Sequence, residues 1–516
     1  MPTPPDQDDP VLTAWQVLKE HASELPDFWT SVYRDALRAA FRKRDHRAGV
    51  GLAIFAAASL EFQGNPGLAT THLNDAIAVF ASDREARAQL LGVRAIMEAV
   101  GADPRATHTL QQARRGIRGF EPAVAFEVDT YAAVVGAIQL RPGSIALAER
   151  NEVTAASAAD LGLAAGTKPW VVAAMHAFGM AERSAIWITS LGAYADAHQD
   201  VFRQADVAAL DFATRARGGL VAPADEAIES APRNTIARWR VGTTSLYLAL
   251  LRRDRRAAQQ SVEGLRASAS RMNPAWGAGL PVFDAAVRAW FEDGIEEFPP
   301  PPETLSVVNL PAALAGLGAS SQGGSQDDAV LWRRWADAGL PPHVQSALGW
   351  PVSAERLLGL SDVRLGRVGN ARRRLERAMR WADAGGYPIE RAVALVQLAE
   401  LATLAGLTTT RERWQALRRR GRTELQEHGI DPDPVAYQVT RALALGRASD
   451  FSPKLTPREV EVLALLARGQ THREVAQTLG ISARTAQVHA ANAYGKLDAN
   501  SRIAAITKAR DLGLIA

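Results

Sequence analysis

Apolar residues recur at steps of three and four along most of residues 11–445. This spacing places them on one face of an α-helix, and the alternation of apolar and polar residues that is typical of a strand is scarce. Alanine and leucine, two strong helix formers, dominate the same region. The pattern therefore predicts an all-α fold for the greater part of the chain.

Several helical segments share one plan, in which a helix ends at a glycine, a short polar turn follows, and a second helix begins with small and apolar residues. In the clearest copy the turn is GRVGN, Gly366 to Asn370, and the second helix carries a stripe of apolar residues: Ala371, Leu375, Ala378 and Ala382. Turn glycines lie 37 residues apart from Gly64 to Gly101 and 40 apart from Gly366 to Gly406. Such spacings are typical of two-helix repeats that bury their faces by stacking. We expect an irregular α-solenoid whose helix pairs resemble tetratricopeptide repeats, although the full repeat signature is not met.

Two changes of composition divide the chain. PPPPE at residues 299–303 and the glycine- and serine-rich residues 316–328 combine stiff and flexible linker chemistry. A short polar segment precedes the final module. The predicted organisation is a disordered lead-in (1–10), an N-terminal helical-repeat region (11–293), a linker (294–328), a second helical-repeat segment (329–445), a tether (446–454) and a C-terminal domain (455–516).

Several kinds of chemistry have no sequence signal here. The chain has no cysteine, its ten histidines are scattered, and no phosphate-binding GxxxxGK[ST] loop, HExxH or GxSxG motif occurs. We therefore predict no catalytic residue, no metal, no cofactor and no enzymatic activity. The longest apolar stretch, Gly49 to Leu60, is shorter than the roughly 18 residues that a membrane span needs. We expect a soluble cytoplasmic protein without membrane contact.

Positive charge is concentrated near the C-terminus. Residues 454–516 contain nine Lys and Arg against five Asp and Glu, a larger excess than the formal +3 of the whole chain. Such a distribution is typical of a nucleic-acid-binding module. A chance fluctuation among arginines would give the same count, so charge alone leaves the question open.

The last 62 residues carry signals for four short, well-capped helices. Each start has a Ser or Thr as N-cap, and the first two add a Glu three residues later, which forms a capping box. Glycines suited to a left-handed conformation end the first two helices. The N-caps are Thr456, Thr471, Ser482 and Ser501, the capping-box partners are Glu459 and Glu474, and the glycines are Gly469 and Gly480. Helices two and three have the lengths of a helix-turn-helix, with Gly480 in the turn.

The third of these helices has two distinct faces. At 100° per residue, the packed face comprises Ala486, Ala490, Ala493 and Leu497, and the opposite face comprises Arg484, Gln487, Val488 and Ala491. In the major groove Gln pairs with adenine, Val contacts a thymine methyl, and Arg binds guanine or phosphate. The pattern favours DNA contact, and a plain surface helix with one stray valine is the alternative.

The sequence of this C-terminal segment closely resembles the LuxR-type (GerE-type) DNA-binding domain of bacterial transcription regulators. The resemblance covers Leu455 to Ile515 and rests on LTPREVEVLALLARG, EVAQTLGIS, the TxxVH that begins at Thr485, Lys496-Leu497 and Ser501-Arg502. It implies base and phosphate contacts from helix three and the start of helix two. The implied residues are Thr485, Gln487, Val488, Ala491 and Lys496, with Thr471 and Arg473 on the DNA backbone. Gln487 stands where many relatives have lysine, and Ala491 stands where they often have a polar or basic residue. Both departures weaken the attraction of this helix to DNA phosphates.

The resemblance also implies a dimer contact through helix four. Here that contact would use Ile503, Ile506 and the Ala509 side, and packing of these residues on helix one is an equal alternative. A long helical region before a C-terminal LuxR-type domain resembles the maltose-regulator-like activators, but their ATPase domain is absent. Our first hypothesis is a bacterial transcription regulator that binds double-stranded DNA as a homodimer and is associated with the nucleoid. Activation is the more common outcome in the family, and an activator would act on RNA polymerase.

In that hypothesis the helical region binds a small-molecule or protein effector and so controls DNA binding or oligomerisation. Four tryptophans could line an effector site, although tryptophan in a helical array is more often a core residue: Trp170, Trp187, Trp239 and Trp276. Arginine clusters at 372–374 and 418–420 are best interpreted as solvated helix faces. The second hypothesis is an interaction scaffold whose C-terminal module binds DNA weakly or without sequence preference, as Ala486, Gln487 and Ala491 would favour.

Overall fold

The computed structural model describes residues 9–20, 28–62, 65–155, 158–218, 235–272, 274–291, 295, 297–405, 411–448, 455–497, 499, 501–511 and 514–515. In these residues the extended elements are limited to one isolated β-bridge between Ala347 and Trp350, and the rest of the regular structure is helical. The all-α prediction is confirmed. Residues 1–8 of the predicted lead-in and 449–454 of the predicted tether lie outside the described residues.

The helices of the first part of the chain are α1 (Pro10–Glu20), α2 (Trp29–Arg42), α3 (His46–Phe62), α4 (Pro66–Val79), α5 (Arg84–Val100), α6 (Ala106–Ala113), α7 (Pro122–Ile138), α8 (Gly143–Thr154), α9 (Ala158–Ala177), α10 (Ala181–Ala197), α11 (Val201–Arg215), α12 (Thr235–Leu251), α13 (Arg255–Ala269), α14 (Pro274–Gly277) and α15 (Leu280–Trp290). They continue with α16 (Leu310–Gln322), α17 (Gln326–Gly339), α18 (Ala354–Arg364), α19 (Val368–Ala384), α20 (Pro388–Leu404), α21 (Arg411–Glu427), α22 (Pro432–Ala448), α23 (Pro457–Ala467), α24 (His472–Leu479), α25 (Ala483–Lys496) and α26 (Arg502–Asp511).

The chain folds into two compact units that do not follow the predicted boundaries. The first comprises Met1–Asp284, Pro302–Leu314 and Leu340–Pro351, and the second comprises Ala285–Pro301, Ala315–Gly339 and Val352–Ala516. In the first unit the two later segments return to earlier helices. The Val307 amide donates to the Ile138 carbonyl at 2.9 Å, and the Gln345 amide donates to the Ala177 carbonyl at 2.6 Å.

Helices that are consecutive in sequence pack against one another throughout the first unit. Glycine allows the closest approach between α5 and α7, because a Cβ at Gly92 would lie 2.4 Å from the ring of Tyr131. The buried residues of these helices are mostly alanine and larger aliphatic residues. They are the apolar positions whose helical spacing the sequence shows.

The predicted linker at residues 294–328 is corrected by the structure, because α16 occupies residues 310–322. A Cβ at Gly316 would lie 2.2 Å from the Trp332 ring, so this glycine permits close packing of α16 on α17. Ser320 and Ser321 are fully buried, and their hydroxyls donate to the carbonyls of Leu317 and Gly318. The glycine and serine content therefore reflects tight helix packing, and it does not indicate a flexible linker.

The helix pairs predicted in the second unit are present. Gly366 lies between α18 and α19 with a φ of 72°, and the predicted stripe on α19 is buried. The following pair is α20 and α21. The predicted turn glycines Gly64 and Gly406 lie outside the described residues. The predicted tether is also corrected at its start, since α22 extends to Ala448. These pairs are compatible with a repeat array, which stays a prediction.

The arginine clusters of the second unit lie on ion-paired helix faces. Arg374 binds Asp362 and Glu355, and Arg418 binds Glu400 at 3.2 Å. These pairs favour the interpretation of the clusters as part of the helical array. Within the residues that the structure describes, no helix is long and apolar enough to cross a membrane.

Candidate nucleic-acid interface

Local capping fixes the helices of the C-terminal module as the sequence predicted. Thr456 and Glu459 form a capping box at the start of α23, and Thr471 and Glu474 form another at the start of α24. The Ser482 side chain caps α25 by accepting from the Thr485 amide at 3.0 Å. Each box satisfies amides that the first helical turn leaves without partners.

Glycines and small residues set the angle between the helices. Gly469 follows α23 with a φ of 91°, and Gly480 ends α24 with a φ of 64°, so both occupy the left-handed region that favours glycine. Ala476 is buried where α24 packs against α25. The helix α24, the turn at Gly480 and the helix α25 therefore form a helix-turn-helix.

The module has its own apolar core. Ala486 and Ala490 of α25 pack with Val462, Leu466 and Val475, and further along α25 lies the rest of the packed face. Ala493 and Leu497 are buried with Leu463, Ala505 and Ala509. The predicted packed face of α25 is confirmed at all four positions, and Ala486 is a packing residue.

The opposite face of α25 is exposed. All four positions predicted on it lie in solvent: Arg484, Gln487, Val488 and Ala491. Thr485, which the family resemblance implied as a contact, is exposed as well. Val488 keeps half of its surface accessible, so it presents an apolar group to solvent on this face. Asn492, also exposed, extends the same face by one turn beyond Val488, and the sequence analysis missed it although its helical spacing indicates it.

Three exposed arginines lie at helix ends of the module. Arg473 lies in the first turn of α24, Arg484 in the first turn of α25, and Arg468 at the C-terminal end of α23. All three are exposed, and among the described residues none of them has an ion-pair partner. The sequence analysis did not single out Arg468. The first turns of α24 and α25 also carry the partial positive charge of a helix N-terminus, which favours bound phosphate.

Lys496 differs from these arginines because it is ion-paired. Its Nζ donates to both carboxylate oxygens of Glu459, at 2.9 and 2.8 Å, and the Thr456 amide donates to the same carboxylate at 2.6 Å. Glu459 is only 3% exposed. Burial opposes its ionisation, but the hydrogen bonds from Lys496 and Thr456 prevail and lower the pKa of Glu459. This geometry gives Lys496 a structural role in joining α25 to α23.

Thr471 is also committed to its own helix. Its hydroxyl donates to Glu474 at 2.9 Å and accepts from the Glu474 amide at 3.4 Å. The Thr471 amide donates to the same carboxylate, and these bonds lower the pKa of Glu474. Thr471 and Arg473 are both exposed at the start of α24. A contact of this helix start with the DNA backbone would therefore involve both residues.

The last helix shows which alternative holds for its apolar residues. Ala509 is buried against α23, and Ile506 packs on Val462 and Leu466, as the packing alternative predicted. Ile503 instead is 79% exposed. Arg502 donates to the carbonyls of Leu466 and Gln470 at 2.7 and 2.9 Å, which holds α26 at the C-terminal end of α23.

A metal site has no support in the part of the chain that the structure describes, where no group of three or more acidic or histidine side chains could bind an ion. The candidate functional groups of the module are the exposed face of α25 and the arginines in the first turns of α24 and α25. Such a surface on a helix-turn-helix defines a DNA-binding domain.

The sequence comparisons identify the kind of domain. Residues 453–509 match the model of bacterial regulatory proteins of the luxR family, also named GerE. These residues are a LuxR-type helix-turn-helix domain, as the resemblance indicated. The match covers the C-terminal module and does not extend into the larger helical region.

The similar curated proteins are regulators. The quorum sensing-dependent transcriptional regulator RpaR of Rhodopseudomonas palustris is 39% identical over 107 residues, which cover 18% of this chain and 44% of RpaR. The transcriptional activator protein CarR of Pectobacterium carotovorum is 48% identical over 60 residues, 12% of this chain and 25% of CarR. The chain thus spans less than half the length of these relatives. No solved structure matches the chain.

Proposed function

We propose that this chain is a bacterial transcription regulator without enzymatic activity, which binds double-stranded DNA by sequence and acts on the nucleoid. In this proposal α25 lies in the major groove. Gln487 and Val488 contact base edges, while Arg473 and Arg484 bind phosphates. Thr471, Thr485 and Ala491 complete the contact surface.

The observation that carries the proposal is the division of α25 into a fully packed alanine face and an exposed face with an amide, a β-branched residue and an arginine. A thymine methyl offers the exposed Val488 an apolar partner. Arg473 and Arg484, which have no ion-pair partner among the described residues, lie at the starts of the two helices that meet the DNA in a helix-turn-helix. They supply the attraction that the departures at Gln487 and Ala491 remove.

The regulator acts as a homodimer in this proposal. The exposed Ile503 on α26 offers an apolar contact for a second copy, since Ile506 and Ala509 are already used in the core of the module. Activation through RNA polymerase is supported by similar proteins that are transcriptional activators, CarR among them. A two-fold symmetric DNA site follows from such a dimer.

The helical region controls the module in this proposal, in response to a small molecule or a protein. Support comes from a contact inside the second unit, where α26 lies against α19. A Cβ at Gly369 would lie 3.0 Å from the Arg510 carbonyl, so the two helices approach closely. A change in the array is thereby coupled to the helix proposed for dimerisation.

The test is selection of duplexes from a random DNA pool by the purified full-length chain. The native chain is expected to enrich a two-fold symmetric site. Val488→Ala should change the preferred base at one defined position of each half-site, whereas Val153→Ala, the same substitution at an exposed position of α8, should select the same site as the native chain. Enrichment of no sequence, with salt-sensitive binding to any duplex, would replace the regulator with the scaffold hypothesis.

A further inference from the structure

The first unit contains a cavity of about 320 Å³ between its helices. Its volume falls within the roughly 300–1,000 Å³ range of small-molecule sites. The walls are mostly apolar and come from α3, α5, α7, α9 and α14. Trp170 and Trp276, two of the four tryptophans weighed above as effector-site or core residues, both line it, with their ring centroids 6.4 Å apart.

One part of the wall carries more positive than negative charge. Asp206 of α11 accepts from the guanidinium of Arg240 at 3.0 Å and from that of Arg203 at 3.3 Å. Arg240 and Asp206 are nearly buried, and Arg203 is about one quarter exposed. The guanidinium carbon of Arg240 also lies 5.6 Å from the Trp170 ring centroid. Within the described residues, these two cations therefore share the one carboxylate of Asp206 beside an aromatic surface.

Glu61 of α3 is the other acidic group in the wall, and it does not balance this charge. Its Oε1 is buried and has no hydrogen-bond partner among the described residues. Burial raises the pKa of Glu61 to about 7, so the carboxyl is mostly neutral in mildly acidic solution. In that form it adds no negative charge to the cavity, and its hydroxyl is a potential donor.

We propose that this cavity binds an amphipathic organic anion, with a carboxylate at Arg203 and Arg240 and an apolar body against Trp170 and Trp276. A carboxylate supplies the missing countercharge and matches the two-donor geometry of a guanidinium. The apolar body removes the indole rings and the neighbouring aliphatic wall from water. The inference deepens the proposed function and rests on it in treating such an anion as the effector of the helical region.

The test is calorimetric titration of the full-length chain at about pH 6 with two probes below their micellar concentrations, decanoate and decylammonium. The two probes have the same apolar chain and opposite charge, so their difference isolates the charged group. Decanoate should bind at least about tenfold more tightly than decylammonium. Equal binding of both, tighter binding of decylammonium, or no binding of decanoate would overturn the inference.

Variants locate the site. Arg203→Gln should weaken decanoate binding about tenfold, and Arg203→Lys should retain the preference for decanoate. Arg215→Gln is the matched control, because Arg215 lies on the same helix, pairs with Asp211 and does not line the cavity. An equal loss in Arg215→Gln would mean binding elsewhere and would refute the site, provided that circular dichroism shows both variants folded. These titrations involve no DNA, so the two proposals can fail separately. Selection of a DNA site without binding of decanoate would refute only this inference. Binding of decanoate without selection of a DNA site would refute only the proposed function.

Discussion

The two kinds of cation in the DNA-binding module should respond differently to removal. Arg473 is exposed without an ion-pair partner in the described residues, whereas Lys496 binds a carboxylate that is 3% exposed. We expect Arg473→Ala to weaken DNA binding at unchanged stability. Lys496→Ala should instead destabilise the module and leave the salt dependence of DNA binding nearly as it is.

The magnitudes follow from the contacts. Each phosphate neutralised contributes about 0.9 to the slope of log affinity against log salt, so Arg473→Ala should lower the steepness by about one. Loss of an exposed ion pair costs up to about 1 kcal/mol and loss of a buried one about 3–5 kcal/mol. Lys496 is 39% exposed while its partner is buried, which places Lys496→Ala at about 1–2 kcal/mol.

Fluorescence anisotropy with a labelled duplex across a series of salt concentrations measures the slope for each full-length variant. Amide hydrogen exchange over α23 measures local stability, and exchange there should accelerate roughly 5- to 30-fold in Lys496→Ala. If Lys496→Ala lowers the slope as much as Arg473→Ala and leaves exchange unchanged, Lys496 binds phosphate and the assignment of its ion pair to structure is refuted.

Three further outcomes are expected. Hydrogen bonds lower the pKa of Glu459 in the folded chain, so the stability that ionised Glu459 contributes is complete above the unfolded carboxyl pKa of about 4.3 and is lost as pH falls through the folded pKa. Amide exchange over α23, corrected for intrinsic rates, should therefore accelerate in acid. Glu459→Gln should remove this pH dependence. Gly316→Ala should destabilise the second unit by roughly 1–3 kcal/mol in urea unfolding because the added methyl meets Trp332, while Gly264→Ala, which has open space, should be neutral or stabilising; equal effects would contradict the packing argument. Gln487→Ala should lower affinity for a selected duplex by about 1–3 kcal/mol and relax preference at one base pair, and an unchanged preference would remove Gln487 from base contact.

The DNA-binding module could be predicted because its determinants are local. Thr456, Thr471 and Ser482 cap helices through bonds that span three residues, and Gly480 needs only its own conformation to end α24. The packed and exposed faces of α25 follow from helical periodicity alone. The ion pair of Lys496 with Glu459 could not be predicted in this way, because it joins positions 37 residues apart.

Long-range packing explains what the sequence did not reveal in the helical region. The glycines and serines of α16 have the composition of a linker, and only the position of Trp332 shows that Gly316 is a contact. The cavity likewise gathers Glu61, Arg203 and Arg240 from three separate helices, with no motif spacing to connect them. Only the folded structure shows that these three side chains line one cavity.

The ratio of two affinities tests the central claim most directly. The full-length chain would be titrated with its selected duplex and with a scrambled duplex of the same composition, at one physiological salt concentration. Sequence-specific recognition by the exposed face of α25 predicts a ratio of roughly 10³ or more, which falls when Val488 is replaced by alanine. A ratio near one, unchanged by that substitution, would contradict the account.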